Sequence, residues 1–242
     1  PGKLIRTQSY RLFTTESDPV LVEQMPGFLE QALTHYTSAF GPLPKPRFKL
    51  DTFLMGDQEQ WALLTKQLMG DQAATYLKIE RGGFSSGGRA VLRGIGRRDT
   101  LAIAAHEGWH QYTQRTFGRP LPPWLEEGIA VYMEGFVVDP VEPGRFTFTG
   151  WANTERFDQL MSASARVGLA PLPALVYATP QELINTSTDA TLTYYAQLWV
   201  LVHFLRDGEG GRYRKGLFTS LADAAAAPTQ LAEGEVSPQV QA

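Results

Sequence analysis

Two short segments near the start of the chain have the pattern of strands. They are residues 10–15 and residues 47–54, and in the second the polar and apolar side chains alternate as in a strand with one buried face. Residues 20–40 between them place apolar side chains at helical spacing, and residues 58–68 follow with a second helical pattern. This order predicts a small sheet packed against helices, which is typical of α+β domains.

A glycine-rich segment, residues 82–88, comes next and precedes a short strand-like segment, residues 89–93. A phosphate-binding glycine loop follows a strand and opens a helix. That order is missing here, so the segment gives little support for a nucleotide site. An ordinary hairpin is the simpler interpretation.

The second half of the chain is mainly helical in pattern. Further helices are expected at the segments listed here: residues 99–112, 122–134, 156–167, 181–184, 194–205 and 212–227. Residues 136–149 contain prolines and predict a loop or short hairpin, and the polar residues 230–242 predict a frayed tail. We therefore expect one domain, residues 1–242, with a sheet-bearing lobe at about residues 1–134 and a helical lobe at about residues 135–229.

Composition narrows the functional classes. A chain of 242 residues with 43% hydrophobic side chains can bury a full core. The net charge of −3 and the absence of a dominant basic stretch argue against a nucleic-acid partner. Cysteine is absent, which excludes disulfides and thiol chemistry but fits any compartment. No segment approaches the roughly 18 apolar residues of a membrane span.

The candidate chemistry lies in the predicted helix at residues 99–112, for which we expect Asp99 to be the N-cap. His106 and His110 are one turn apart, roughly 6 Å along the axis, and share one face. Zinc accepts imidazole nitrogen at about 2.0–2.1 Å, so both rings can reach one ion. Glu107, about 100° further round the helix, can flank the metal as the general base for a bound water. The alternative is a buried helix whose histidines match this spacing by accident.

A third ligand is needed because a catalytic zinc usually has three protein ligands and keeps one position for water. The predicted helix at residues 122–134 carries two adjacent acids, Glu126 and Glu127. The sixteen residues between His110 and Glu127 allow one helix to end and another to return across it. Spacing alone does not choose between the two acids.

The two segments together resemble the gluzincin zinc metallopeptidases and, more closely, an uncharacterised bacterial family of proposed peptidases. The resemblance is carried by His106-Glu107-x-x-His110 followed by Trp124-Leu125-x-Glu127-Gly128-x-Ala130-x-Tyr132-x-Glu134. It implies a zincin-like fold, a Zn²⁺ ion held by His106, His110 and Glu127, and hydrolysis of a peptide or protein substrate. Glu126 then becomes a neighbour of the site. The resemblance also favours an exported protein, periplasmic or extracellular.

Further expectations follow from the same resemblance. Aminopeptidase-type gluzincins place a tyrosine hydroxyl toward the oxyanion, and the matching residue is Tyr195, with Tyr194 as the rival. An aromatic that anchors a core helix is the alternative. In zincins the strand before the active-site helix often forms the edge of the cleft, so residues 88–92 are expected to bind an extended peptide by strand addition.

Three expectations concern residues outside the ligand set. Glu134 is expected to orient a histidine through its second ring N–H, as metal sites usually require. His203 is expected to be a core histidine, and His35 has no predicted role.

The amine-binding motif of aminopeptidases is absent before Asp99, which argues against a simple aminopeptidase. A catalytically inactive zinc-binding or peptide-binding module, or a domain without metal, are the competing functions.

Overall fold

The structure is a computed structural model that describes residues 2–79, 82–166, 168–177 and 188–228. The strands in these ranges are β1 (Lys3–Arg6), β2 (Tyr10–Thr14), β3 (Leu50–Met55), β4 (Gly83–Ser86), β5 (Arg89–Arg93), β6 (Phe136–Val138) and β7 (Phe146–Phe148). The helices are α1 (Pro19–Tyr36), α2 (Gln58–Met69), α3 (Ala73–Tyr76), α4 (Arg97–Thr116), α5 (Pro123–Met133), α6 (Thr154–Arg166), α7 (Leu172–Tyr177), α8 (Thr188–Asp207) and α9 (Arg214–Ala226). The predicted helix at residues 181–184 and the predicted tail at residues 230–242 lie outside the described residues.

The main sheet is mixed and has the strand order β1-β2-β3-β5-β4. The central strands β2, β3 and β5 are parallel, and β1 and β4 pair antiparallel at the two sides. This arrangement confirms the predicted α+β class with a small mixed sheet. The sequence did not predict β1, because its side chains are mostly exposed and give no alternating pattern.

The glycine-rich segment forms a tight hairpin between β4 and β5. Gly87 and Gly88 have φ of 62° and 66°, as a two-residue turn of type I′ requires at both central positions. Other residue types rarely adopt this backbone conformation, which explains the glycine pair. The simple hairpin interpretation is therefore confirmed.

The prediction that residues 88–92 form the edge of the cleft is wrong. β5 is hydrogen-bonded to β3 on one side and to β4 on the other, so its backbone groups are already paired. The edge on this side of the described sheet is β4. The sequence showed a strand before the helix at residues 99–112, but strand order depends on pairing between distant segments and was not visible.

The main core lies between the sheet and the helices α1 and α4. It includes Leu12, Leu54 and Leu92 from the sheet, which are fully buried. A smaller cluster around Trp61 covers the opposite face, where α2 contacts β3 and β5. The main core continues to Ala224 in α9, so residues from both predicted lobes contribute to it.

The second half is mainly helical, as predicted. α5 packs against α8, and α8 contacts α6, α7 and α9. The predicted loop or hairpin at residues 136–149 is the β6–β7 hairpin, which packs on α1 through ring contacts of Phe28 with Phe136 and Phe146. Within the described ranges, the helices are too short or too polar to cross a lipid bilayer.

Candidate metal centre

Helix α4 begins earlier than predicted. Gly96, with φ of 111°, occupies the N-cap position, and Asp99 lies in the first turn, so the prediction of Asp99 as the N-cap is wrong. The Thr100 hydroxyl accepts a hydrogen bond from the Ile95 backbone N–H at 3.0 Å and ties the preceding turn to the helix. The predicted helical conformation of residues 99–112 is confirmed.

One face of α4 is fixed in the core. Ala105 and Trp109 are fully buried, and the Tyr36 hydroxyl donates a hydrogen bond to the Ala105 carbonyl at 2.7 Å. The side chains of His106 and His110 are on another face and remain 14% and 13% exposed. The buried face therefore sets the direction in which both imidazoles point.

Helix α5 packs against α4 and supplies the third side chain. The two imidazole Nε2 atoms are 3.2 Å apart, and Glu127 Oε2 is 3.5 Å from Nε2 of His106 and 3.6 Å from Nε2 of His110. These three atoms form a compact triangle. The structure thus brings together the ligand set that the resemblance implied.

The outer edge of each imidazole faces a carboxylate. His106 Nδ1 is 2.8 Å from Glu134 Oε1, and His110 Nδ1 is 3.0 Å from Glu126 Oε1. An ionised carboxylate only accepts hydrogen bonds, so each Nδ1 carries the hydrogen. In the neutral form of each ring, this leaves the Nε2 lone pair on the side of Glu127, where a metal ion would bind.

The residues present fit a divalent metal ion. Glu127 Oε2 is buried and makes no hydrogen bond to any of the described residues. A buried acceptor without a donor is costly, and a cation removes that cost. Tetrahedral ligands at about 2.0–2.1 Å from one ion are roughly 3.3–3.4 Å apart, close to the three distances observed.

The electrostatics of the site favour a cation. Burial alone would lower the pKa of His106, but the carboxylates of Glu127 and Glu134 overcome it and raise this pKa to about 9. Burial is likewise outweighed at His110, where Glu127 and Glu126 hold the pKa well above its usual value. Burial would raise the pKa of Glu127, but both imidazoles hold it well below its usual range. A metal ion can replace the protons that these pKa shifts retain.

Sequence reasoning missed the residues behind Glu134. Asn153 Nδ2 donates to Glu134 Oε2 at 2.8 Å, and the Arg156 guanidinium contacts both oxygens of the same carboxylate. These residues lie 19 and 22 positions beyond Glu134 and match no motif, so the chain carried no local signal for them. Thr113, one turn after His110, donates from its hydroxyl to Glu126 Oε1 at 2.7 Å and was also missed.

Glu107 lies on the side of α4 that faces the edge strand β4. Its backbone carbonyl accepts a hydrogen bond from the Ser85 hydroxyl at 2.7 Å. A Cβ atom added to Gly83 would lie 3.3 Å from Glu107 Cγ, which shows how closely the strand approaches this side chain. The Glu107 side chain, next to His106 in the sequence, is therefore directed toward β4.

The two candidate tyrosines have different surroundings. The ring of Tyr195 is 6.2 Å from that of His106, almost perpendicular to it. Tyr194 is 4% exposed and belongs to a core cluster with Leu175 and Leu198, against which Tyr195 also packs. Of these two phenols, Tyr195 is the one beside the ligand cluster.

The other two histidines lie outside the cluster. His203 is 2% exposed, and its ring is 3.8 Å from that of Trp151, in agreement with its expected place in the core. The His35 ring stacks with the rings of Tyr132 and Phe148. Neither histidine belongs to the group that could hold a metal ion.

Comparison with models of known protein families and with curated proteins gives no match for this chain. Function must therefore be inferred from the chemistry of the site. The site combines two imidazoles and one carboxylate that could hold a metal ion, a separate carboxylate on the same helix and a nearby phenol. This set is suited to hydrolysis assisted by a metal ion.

Proposed function

We propose that this protein is a zinc-dependent peptidase of the gluzincin type. The observation that carries the proposal is the triangle of His106 Nε2, His110 Nε2 and Glu127 Oε2, with sides of 3.2–3.6 Å. Two nitrogen ligands and one oxygen ligand suit zinc, whereas calcium and magnesium prefer oxygen. Glu107 follows His106 directly on the same helix and does not belong to the triangle, which suits a general base.

Zinc, when bound, would polarise the scissile carbonyl and lower the pKa of its water to about 7. Glu107 accepts the proton of the attacking water on a carboxylate oxygen. It then transfers this proton to the amine nitrogen as the carbon–nitrogen bond breaks. The second transfer returns Glu107 to its ionised form for the next substrate.

The Tyr195 hydroxyl donates a hydrogen bond to the carbonyl oxygen as negative charge develops there. Burial, with Glu127 and Glu107 nearby, raises the pKa of Tyr195 well above its usual value. The phenol therefore keeps its proton at neutral pH and acts as a donor. Glu126 and Glu134 fix the two imidazoles through their Nδ1–H groups.

The peptide substrate is assigned to β4. This strand is one of the two edges of the described main sheet and lies directly beside Glu107. An extended peptide that pairs with an edge strand aligns its backbone through main-chain hydrogen bonds. The assignment replaces the strand at residues 88–92, whose backbone is already paired.

The test combines elemental analysis with cleavage of a peptide library, followed by mass spectrometry. Wild-type protein is expected to hold one zinc ion and to cleave peptides. Glu107→Gln should keep zinc and lose about 10²–10⁴-fold in rate, and His110→Ala should lose both zinc and cleavage. An active Glu107→Gln protein would exclude this residue as the base. Zinc-loaded protein that binds peptides without cleaving them would instead support the inactive binding module.

A further inference from the structure

Arg156 in helix α6 makes a two-pronged ion pair with Glu134. Its Nη2 is 3.2 Å from Glu134 Oε1, and its Nε is 3.3 Å from Oε2. The two side chains are only 15% and 12% exposed. Buried arginine–carboxylate pairs of this forked kind have a defined geometry as well as a favourable energy. Arg156 therefore fixes the carboxylate that holds His106.

The same guanidinium lies over the ring of Tyr195. The distance from Arg156 Cζ to the ring centroid is 5.5 Å, within the range of a cation–π contact. A third contact, from Nη1 to Gln159 Oε1 at 2.9 Å, holds the guanidinium from within its own helix. One planar group thus touches both the partner of a metal ligand and the proposed oxyanion donor.

From these contacts we infer that Arg156 is a positioning residue that aligns Tyr195 with the metal site. It holds the Tyr195 ring by direct contact, and it holds the metal ligand His106 through Glu134. The inference rests on the proposed function. Arg156 does not touch the ligand triangle, so its effect on catalysis passes through these neighbours. Loss of its planar contacts should misalign the Tyr195 hydroxyl while the metal is still bound.

A simpler role would be to neutralise the buried charge of Glu134. Lysine would serve that role because it also carries one positive charge. Lysine does not form the forked pair and stack on an aromatic ring at the same time. Arg156→Lys therefore separates alignment from neutralisation. Arg156→Met removes the charge altogether and leaves Glu134 buried without its cation.

The experiment measures zinc affinity by competition with a chromophoric chelator, and kcat and KM for a peptide that the wild type cleaves. The variants are Arg156→Lys, Arg156→Met, Tyr195→Phe and the double variant Arg156→Lys/Tyr195→Phe. Arg98→Met is the matched control, because Arg98 also lies over an aromatic ring, that of Phe136, at 5.3 Å. It should have wild-type kinetics and zinc affinity.

Arg156→Met should lower zinc affinity by about 10-fold through the loosened Glu134–His106 contact. Arg156→Lys should keep zinc affinity near that of the wild type and lower kcat by about 10-fold without a change in KM. In the double variant, kcat should equal that of Tyr195→Phe alone, because both changes disrupt one interaction.

Three results would overturn the inference: wild-type kcat in Arg156→Lys, multiplied losses in the double variant, or equal losses in Arg98→Met. If the wild type binds zinc but cleaves no peptide, the proposed function fails. In that case the zinc measurement tests the part of the inference that links Arg156 to His106 through Glu134, and unchanged affinity in Arg156→Met rejects that part. Arg156→Lys keeps the test valid if Arg156→Met does not fold.

Discussion

Glu126 Oε1 lies 3.0 Å from His110 Nδ1, on the edge of the imidazole away from the Nε2 atom that faces Glu127. Two adjacent acids on one helix therefore contact opposite edges of the same ring. Glu127 belongs to the possible metal cluster, and Glu126 orients the ring from outside. The structure therefore distinguishes the two acids by the edge of the His110 ring that each contacts, whereas the spacing in the sequence could not distinguish them.

Because of this difference, we expect the same substitution, glutamate to glutamine, to lower zinc affinity by different amounts at Glu126 and at Glu127. Glu126→Gln should lower zinc affinity by about 10-fold, because an amide holds His110 Nδ1–H less strongly than a carboxylate does. Glu127→Gln should lower it by more than about 100-fold, because a direct ligand is lost. Competition with a chromophoric chelator measures both, and each variant is the control for the other. A larger loss in Glu126→Gln would make Glu126 the ligand.

The sequence was sufficient for features that depend on near neighbours. The spacing of His106 and His110 on one helix follows from helical geometry and is present in α4. The strand and helix patterns of the first 70 residues also correspond to β2, α1, β3 and α2, with ends that shift by a few residues. Each of these predictions depended on a period of two or of 3.6 residues, which the chain displays directly.

Features that depend on distant contacts could not be predicted in this way. The pairing of β5 between β3 and β4 is one such feature, and the contacts of Asn153 and Arg156 with Glu134 are another. The sequence of a predicted helix does not show which distant group a polar side chain on that helix will contact in the folded protein. Even the resemblance, which marked Glu127, did not indicate where Glu126 would point.

Metal removal should lower thermal stability. Glu127 Oε2 is buried and makes no hydrogen bond to the described residues, and a bound cation relieves that cost only in the folded state. At a free zinc concentration 100 times Kd, the stabilisation is about 2.7 kcal/mol. Thermal denaturation with zinc and with a chelator should therefore give different Tm values. Glu127→Gln should lose this difference, and a wild-type Tm insensitive to the chelator would favour a domain without metal.

Gly108, between the two histidines, is expected to be essential for packing. A Cβ atom at this position would lie 2.5 Å from the Tyr36 hydroxyl oxygen, whose hydrogen bond to the Ala105 carbonyl fixes it. Gly108→Ala should therefore lower the free energy of unfolding by about 1–3 kcal/mol, despite the better helix propensity of alanine. Denaturant unfolding measures the change.

Gly216 in α9 supplies the matched control for that substitution. A Cβ atom at Gly216 meets no atom within 4 Å, so Gly216→Ala should leave stability unchanged or raise it by up to about 1 kcal/mol. Adding Tyr36→Phe to Gly108→Ala removes the clashing oxygen and should recover part of the loss. If both alanine variants behave alike, the contact with Tyr36 does not explain the glycine in α4.

Stability should also depend on pH through the two histidines outside the metal centre. Burial lowers the pKa of His35 and of His203 to about 4, and Arg206 adds to this effect at both. The Gly150 backbone and Asp207 act in the opposite direction at His203 but do not outweigh burial. Their ordinary pKa is about 6.5, so the unfolded chain binds more protons than the folded chain between pH 6.5 and pH 4. The contribution of these two neutral histidines to the free energy of unfolding is therefore complete above pH 6.5 and is lost as the pH falls toward 4.

His203→Phe isolates this contribution, because a phenyl ring keeps the packing against Trp151 and Trp199 but does not titrate. The free energy of unfolding of the wild type, minus that of the variant, should fall by up to about 3 kcal/mol between pH 7 and pH 4. Taking the difference cancels the titration of His106 and His110, which is common to both proteins. Denaturant unfolding at saturating chelator across this range is the measurement. A difference that does not vary with pH would mean that His203 is protonated in the folded protein as readily as in the unfolded chain.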